Sequence, residues 1–245
     1  MSTYFNGVRL EDRYLVTDIT RPAPGMSVET AEVPGRPGAA FKGSSLNVGH
    51  VGLTLWPHWM GASELRAAVR EIAALFHVEE PARLEFGDDN GLYYLASQDG
   101  EMEVREHADA FSVRVELVTP SPLMYGAERT VTVPSGGSVS FLVGGTYPAT
   151  TLIKAPGAVR DSGGLWGVRL DDGDFARVEV PTASATPVVI DGRELMLGGH
   201  AVTVGGSSRL MTMDSDWLEL APGHHTLAND VGTGACEVTW VERWL

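Results

Sequence analysis

The chain has 245 residues with a formal net charge of −14, and 43% hydrophobic and 20% charged residues, a composition that can bury a core in one large or two modest domains. The acidic balance disfavours binding to bulk DNA or RNA, because such binders usually carry a basic face. The one cysteine, Cys236, excludes an intramolecular disulfide and a multi-cysteine zinc site.

The first segment, MSTYFNGVRLEDRY, lacks the apolar core of a signal peptide. Nowhere does an uninterrupted apolar run reach the roughly 18 residues that a membrane helix requires. We therefore expect a soluble chain that does not insert into a membrane.

Residues 31–41, AEVPGRPGAAF, contain two prolines, two glycines and one arginine. A phosphate-binding loop would need a helix directly after Gly38 to supply free amides and a dipole, and no helical pattern starts there. The chain instead continues through Phe41 and Lys42 into a second strand. We interpret the segment as a stiff turn between two strands, with Arg36 available to pair with an acid.

One helix is predicted, over residues 63–76. Apolar residues recur there at helical spacing: Leu65, Ala68, Val69, Ile72, Leu75 and Phe76. Ser63 is the expected N-cap, and Glu64 lies where the helix dipole favours an acid. We expect the apolar stripe to pack on a sheet.

Most of the remaining chain is predicted to form short strands. Residues 111–118 alternate apolar and polar side chains, as in a half-buried strand, and residues 101–105 do the same, so the two can pair across 107–110. Later candidate strands are 130–133, 139–143, 150–154, 167–170, 176–180, 188–190, 209–213 and 236–241. Many short strands separated by turn residues indicate β-sandwiches or barrels.

The segment TPSPLMYG, residues 119–126, marks the predicted boundary, because its two prolines interrupt strand pairing. We place a first domain at 1–125 and a second at 126–245. The predicted fold is mainly β: an N-terminal β-barrel or sandwich-like domain with one α-helix, followed by an all-β half.

Catalytic signals are scarce. His224 and His225 sit in a predicted turn without a spaced third ligand, so we expect no metal there. The Asp-Gly and Asn-Gly stretches at 171–174 and 88–91 are interpreted as hairpin turns, since calcium-ligand spacing is missing. A carboxylate pair for glycoside hydrolysis is not singled out, although 32 acids leave that alternative open. Cys236 is interpreted as a small core side chain. We expect no enzyme activity and no cofactor.

The six tryptophans raise the question of sugar binding. Burial is the dominant use of tryptophan, so core packing is the preferred interpretation for each. Exposed indoles can also stack on sugar rings. Trp166 and Trp217, which flank glycines or acids, are therefore the candidates for an alternative function, a carbohydrate-binding module for host-surface glycans.

The order of several short motifs resembles the distal tail protein family (Dit) of long-tailed, non-contractile bacteriophages. The matching motifs are Phe-Asn-Gly at 5–7, Val-Pro-Gly-Arg-Pro-Gly at 33–38, the helix, Gly-Thr-Tyr-Pro at 145–148, Leu-Ala-Pro-Gly at 220–223 and Arg-Trp-Leu at 243–245. The resemblance covers nearly the whole chain. Pro37 departs from it, because relatives often have a polar residue there.

The resemblance implies an N-terminal ring-forming (belt) domain and a C-terminal galectin-like β-sandwich. It implies a homohexameric ring that joins the tail tube to the tail tip or baseplate hub, at the distal end of the tail in the virion, after assembly in the host cytoplasm. Implied partners are the tube protein, the tip or hub protein and the tape measure protein. We expect interface residues at the turn, namely Pro34, Gly35, Arg36, Pro37 and Gly38.

Overall fold

The computed structural model describes residues 2–32, 34–35, 37–58, 62–106, 110–171 and 173–245. The chain divides into two compact units. One runs to Met124 and takes in Leu245, and the other spans Tyr125–Trp244. Each unit has its own cluster of buried apolar side chains. Both are built almost entirely from strands, which confirms the prediction of a mainly β chain.

The first unit contains one helix and a run of antiparallel strands: β1 (Thr3–Phe5), β2 (Val8–Arg9), β3 (Tyr14–Thr20), β4 (Met26–Glu32), β5 (Ala39–Leu46), β6 (Gly49–Pro57), α1 (Ala62–Phe76), β7 (Ala82–Phe86), β8 (Tyr93–Gln98), β9 (Glu103–Glu106) and β10 (Phe111–Thr119). The strands pair in the order β2, β1, β7, β8, β10, β6, β3, and β9 pairs with the first half of β10. Strands β4 and β5 form a separate two-stranded sheet.

Helix α1 covers the core of the first unit with its apolar stripe, as predicted. Ala68, Ile72 and Phe76 are buried, and the ring of Phe76 lies 4.6 Å from that of Phe5 on β1. The helix begins at Ala62, so Ser63 lies inside its first turn. The prediction of Ser63 as the N-cap is therefore wrong by position.

The second unit contains β11 (Met124–Val133), β12 (Ser138–Val143), β13 (Ala149–Ala158), β14 (Leu165–Leu170), β15 (Phe175–Glu179), β16 (Thr186–Asp191), β17 (Ala201–Val204), β18 (Ser207–Ser208), β19 (Glu219–Leu220), β20 (Gly223–Val231) and β21 (Cys236–Trp244). One sheet has the order β18, β17, β16, β13, β21, β11, with β19 beside β13, and the other has the order β12, β20, β14, β15. Both sheets contribute to one apolar cluster, and the rings of Phe141 on β12 and Trp240 on β21 lie 4.9 Å apart. The unit is a β-sandwich.

The two predicted hairpin turns are confirmed. Residues 87–92 connect the paired strands β7 and β8, and Asn90 and Gly91 adopt the positive φ angles, 49° and 83°, that such turns require. Residues 171–174 connect β14 and β15, although Asp172 lies outside the described residues. The predicted pairing of the strands around 107–110 is also observed, between β9 and β10.

Two local predictions are wrong. Residues 209–213 are not a strand: their one bridge joins Met211 to Val178 on β15, and the amide of Thr212 donates to the carbonyl of Arg177 at 3.0 Å. The histidines do not form a turn, because His224 and His225 are the second and third residues of β20 and pair with β12. At the histidines, pairing with a strand distant in sequence prevailed over the local turn residues.

Candidate assembly site

The proline- and glycine-rich turn lies at the tip of a separate hairpin. It connects β4 and β5, which pair with each other over their full lengths and with no other strand among the described residues. Pro34, Gly35, Pro37 and Gly38 are exposed, whereas Arg36 lies outside the described residues. Gly35 and Gly38 have φ angles of +80° and +82°, which a side chain with a Cβ adopts only with strain. The turn therefore needs glycine for its backbone and not for space.

A β-bulge decides which side chains share a face of the β4–β5 hairpin. Glu29 pairs with Gly43 and Thr30 with Phe41, so the residue between, Lys42, has no partner across the ladder. In a regular strand, residues an odd number of positions apart point to opposite faces. The bulge therefore moves Phe41 onto the face of Leu46, five residues away.

The result is one face that carries the most exposed large apolar side chains of the hairpin, together with several polar ones. Met26, Val28 and Phe41 lie on the same face by register, and they are 61%, 58% and 68% exposed. The opposite face carries small or polar side chains: Ser27, Glu29, Ala31, Ala40, Gly43 and Ser45. We call Met26, Val28 and Phe41 the apolar face.

The base of the hairpin is closed by its own hydrogen bonds. The amide of Asn47 donates to the carbonyl of Gly25 at 2.8 Å, and the hydroxyl of Ser27 donates to the Asn47 side chain at 2.6 Å. Behind it, a Cβ on Gly49 would lie 2.3 Å from Oγ1 of Thr119. This glycine permits the close approach of β10, which pairs with β6 just after the hairpin ends.

The second unit contains a buried ion pair that joins distant parts of its sequence. Arg243 on β21 is almost fully buried and donates to a carboxylate oxygen of Glu194 at 2.5 Å, and the hydroxyl of Tyr125 donates to the same carboxylate. The carbonyl of Arg243 accepts the amides of Thr146 and Tyr147 at 2.9 and 3.1 Å. The Gly-Thr-Tyr-Pro motif and the Arg-Trp-Leu end are therefore in contact. Sequence reasoning missed Glu194, because no local pattern distinguishes it from other acids.

Trp166 cannot stack on a sugar. It is 0% exposed and belongs to the sandwich core, since it alternates with Val168 and Leu170 on the inner face of β14. Its candidacy as a glycan-stacking residue is therefore wrong. Trp217 is 40% exposed, with its ring against Gly192 and edge-on to the ring of His200 at 5.8 Å.

The described residues contain no group of three or more side chains able to hold a metal ion, and the helix among them is too short and polar to cross a bilayer. Burial raises the pKa of the Cys236 thiol to about 12, as expected for a core side chain without a chemical role. The imidazole of His225 lies 2.8 Å from Asp171, and this hydrogen bond lowers the pKa of that carboxyl. The pair connects β20 to the β14–β15 turn.

Comparison with known proteins yields two family matches, one in each half of the chain. The phage tail protein RIFT-related domain matches residues 8–119, and the siphovirus-type tail component C-terminal domain matches residues 145–244. No curated protein matches the chain in sequence.

A solved structure shows a strong likeness to the chain. The chain is similar to the Dit protein of phage SPP1, described as a paradigm of the hub adsorption apparatus in phages that infect Gram-positive bacteria, with 16% identity, a TM-score of 0.78, and coverage of 100% of this chain and 99% of that chain. At 16% identity, this structural likeness shows that the two chains share a fold. A chain of the phage p2 baseplate in its activated conformation with Sr has 11% identity over 96% of this chain and 92% of that chain, with a TM-score of 0.48.

Proposed function

Because the chain belongs to the distal tail proteins of siphophages, we propose that it forms a hexameric ring that joins the tail tube to the tail tip or baseplate hub. Its role is structural, without catalysis. The proposed partners are six copies of the chain itself, the tube protein, the tip or hub protein and the tape measure protein. The ring assembles in the host cytoplasm and lies at the distal end of the tail in the virion.

The observation that carries this proposal is the β4–β5 hairpin with its apolar face. A two-stranded hairpin is marginally stable by itself in water, and this one leaves Met26, Val28 and Phe41 more than half exposed. Burial of these side chains against another subunit would stabilise both the hairpin and the assembly. A closed ring also satisfies such head-to-tail contacts without leaving one unpaired at either end.

The turn at the hairpin tip sets the direction of the proposed contact. Gly35 and Gly38 hold the positive φ angles of the turn, and Pro34 and Pro37 restrict the backbone beside them. We expect Gly35→Val and Arg36→Ala to impair assembly. The first introduces backbone strain, and the second removes a guanidinium that is available to pair with an acid. Pro34, Pro37 and Gly38 belong to the same proposed interface.

Charge imposes a condition on the ring. Each copy carries a formal charge of −14, so the copies repel one another at low ionic strength. We expect rings to form more readily as salt is raised, until apolar contacts alone determine the affinity. A basic or neutral surface on the tube or tip protein would avoid the same charge repulsion when it binds the ring.

The test is to purify the chain with and without its tube and tip proteins and to measure the mass of each mixture. The proposal predicts a six-copy species that binds both partners. A chain that remains monomeric at high concentration and binds neither protein would exclude the adaptor function.

A second candidate function is glycan binding at Trp217, favoured by the partly exposed indole of that residue. Residues 125–244 form a compact unit with its own core, and this sandwich can be applied to an array of host wall sugars inside the full chain. Binding that disappears in Trp217→Ala, but persists in Trp244→Phe, would support the site. No binding by the full chain would remove this function and leave the adaptor proposal untouched.

A further inference from the structure

Strand β12 forms an open edge of the second unit. Its sheet has the order β12, β20, β14, β15, so β12 and β15 are the two edge strands. Among the described residues, β12 pairs with β20 alone. An open edge presents a row of backbone N–H and C=O groups that can pair with a strand of another chain.

The hydrogen bonds of β20 show which residues of β12 direct their backbone groups outward. Ser140 lies opposite Thr226. The carbonyl of Thr226 accepts the amide of Asp171 at 2.7 Å, and its own amide donates to the Asp171 carboxylate at 2.8 Å, both on the side away from β12. Ser140 and Thr226 are therefore a non-hydrogen-bonded pair. Such pairs alternate along an antiparallel ladder, so the N–H and C=O groups of Ser138, Ser140 and Leu142 all face away from β20.

Two other edge strands carry protection that β12 lacks. Residues 211–216 run along the outer side of β15, where the amide of Asp216 donates to the carbonyl of Phe175 at 3.0 Å. Strand β3, at the edge of the first unit, is interrupted by a bulge and carries the charge of Asp18. Bulges, charges and covering segments are the usual means of blocking an edge. Strand β12 is regular over all six of its residues.

The sequence around β12 is also free of charge. Residues 130–153 contain no Asp, Glu, Lys or Arg, although 20% of the chain is charged. Exposed edges usually carry a charged residue that prevents association with other strands. Leu142 is in addition 61% exposed. No charge in this run opposes the addition of a further strand.

We propose that β12 binds an extended segment of another tail protein as an added strand, a proposal that rests on the adaptor function above. Backbone hydrogen bonds to Ser138, Ser140 and Leu142 hold the segment, as in other cases of strand addition. Cross-strand contact favours an apolar side chain beside Leu142. The formal charge of −14 on each copy favours a segment without acidic residues.

A second copy of the chain fits this edge less well. Two β12 strands that pair antiparallel are related by a two-fold axis, whereas the subunits of a closed ring meet head to tail. Such a pair would join two rings and would not help to close one. It would also bring together two chains that each carry a charge of −14. A segment of a different protein avoids both conditions.

Ser140→Pro tests the added strand while leaving the pairing with β20 in place. Proline lacks an N–H, and an edge strand tolerates proline where the N–H faces outward. Ser140→Ala is the matched control, because both variants lose the contact of the Ser140 hydroxyl with that of Thr226 at 3.0 Å, and only proline removes the outward donor. We expect rings of unchanged mass from both variants. Proline alone should weaken binding of the tube protein or the tip protein about tenfold or more.

Hydrogen exchange at single amides locates the contact. In the ring alone, the amides of Ser138, Ser140 and Leu142 should exchange quickly, whereas those of Val139 and Phe141, which face β20, should exchange slowly. The bound protein should slow the first three. Leu142→Lys changes an exposed side chain and provides a second variant if proline destabilises the subunit. A lysine on this edge should weaken the same binding.

The mass of the ring separates this proposal from the adaptor function. Six-copy rings in which the folded variants bind the tube and tip proteins as tightly as the unmodified chain would overturn the docking site and leave the adaptor function intact. Slow exchange of the three outward amides in two joined rings, without any added protein, would assign the edge to a second copy and also overturn the proposal. An unmodified chain that binds neither protein would overturn both.

Discussion

Replacing Phe41 by serine should weaken ring assembly while leaving the folded subunit almost as stable as before. The side chain is 68% exposed in the single chain, so the fold of the subunit gains little from it. It lies at the end of the apolar face nearest the turn, next to Val28. In the proposed ring, this exposed part is the part that becomes buried.

The expected magnitude follows from that exposure. Full burial of a phenylalanine side chain is worth about 1.5–3 kcal/mol. About two thirds of this remains available to an interface, or roughly 1–2 kcal/mol per contact, which corresponds to a dissociation constant raised about 5- to 30-fold at about 1.4 kcal/mol per factor of ten. Every subunit contact of a closed ring loses the same burial free energy. The substitution should therefore raise the concentration needed for assembly by more than it would for a dimer.

Light scattering over a concentration series measures the assembly, and thermal unfolding of the dilute protein measures the subunit. Ala40→Ser is the matched control, since Ala40 is the adjacent exposed residue on the opposite face. We expect Phe41→Ser to shift assembly and Ala40→Ser to leave it unchanged, with similar melting temperatures for both. Assembly of Phe41→Ser at the same concentration as the unmodified chain would refute the assigned role of the apolar face.

Three further predictions concern the second unit. Gly145→Ala should destabilise it by about 3 kcal/mol or more in a urea titration, because φ is +98° and a Cβ would lie 2.2 Å from the carbonyl oxygen of Arg243. The control is Gly173→Ala, which has open space around it and should change the free energy of unfolding by less than about 0.5 kcal/mol. Glu194→Gln should cost about 2–3 kcal/mol, since it leaves the buried guanidinium of Arg243 without its counter-charge, and retention of full stability would show that the pair is dispensable. Cys236 should resist thiol reagents at pH 8 until the chain unfolds, because its pKa of about 12 keeps it protonated; rapid labelling of the native protein would contradict its burial.

Periodicity in the sequence was sufficient to predict the elements that bury one side. Helix α1 and the alternating strand β10 follow from spacing alone, since one face of each must reach the core. The same alternation, applied to Trp166, Val168 and Leu170, indicates an inward-facing indole. The suggestion that Trp166 stacks on a sugar relied on its flanking glycine and passed over this pattern.

The candidate site was less accessible from sequence, for two physical reasons. The turn at Gly35 and Gly38 was recognisable from residue type, but the apolar face depends on the bulge at Lys42, and an extra residue in a ladder has no reliable local signal. The Glu194–Arg243 pair depends on residues far apart in the chain. Their proximity follows from strand order and register, which one sequence does not specify.

The measurement that tests the central claim most directly is the mass of the purified chain in solution, across a range of concentrations and salt. The account predicts a species of six copies of the 26.2 kDa chain, about 157 kDa, that gains further mass when the tube and tip proteins are added. A species that stays at 26.2 kDa under all these conditions and binds neither protein would contradict it.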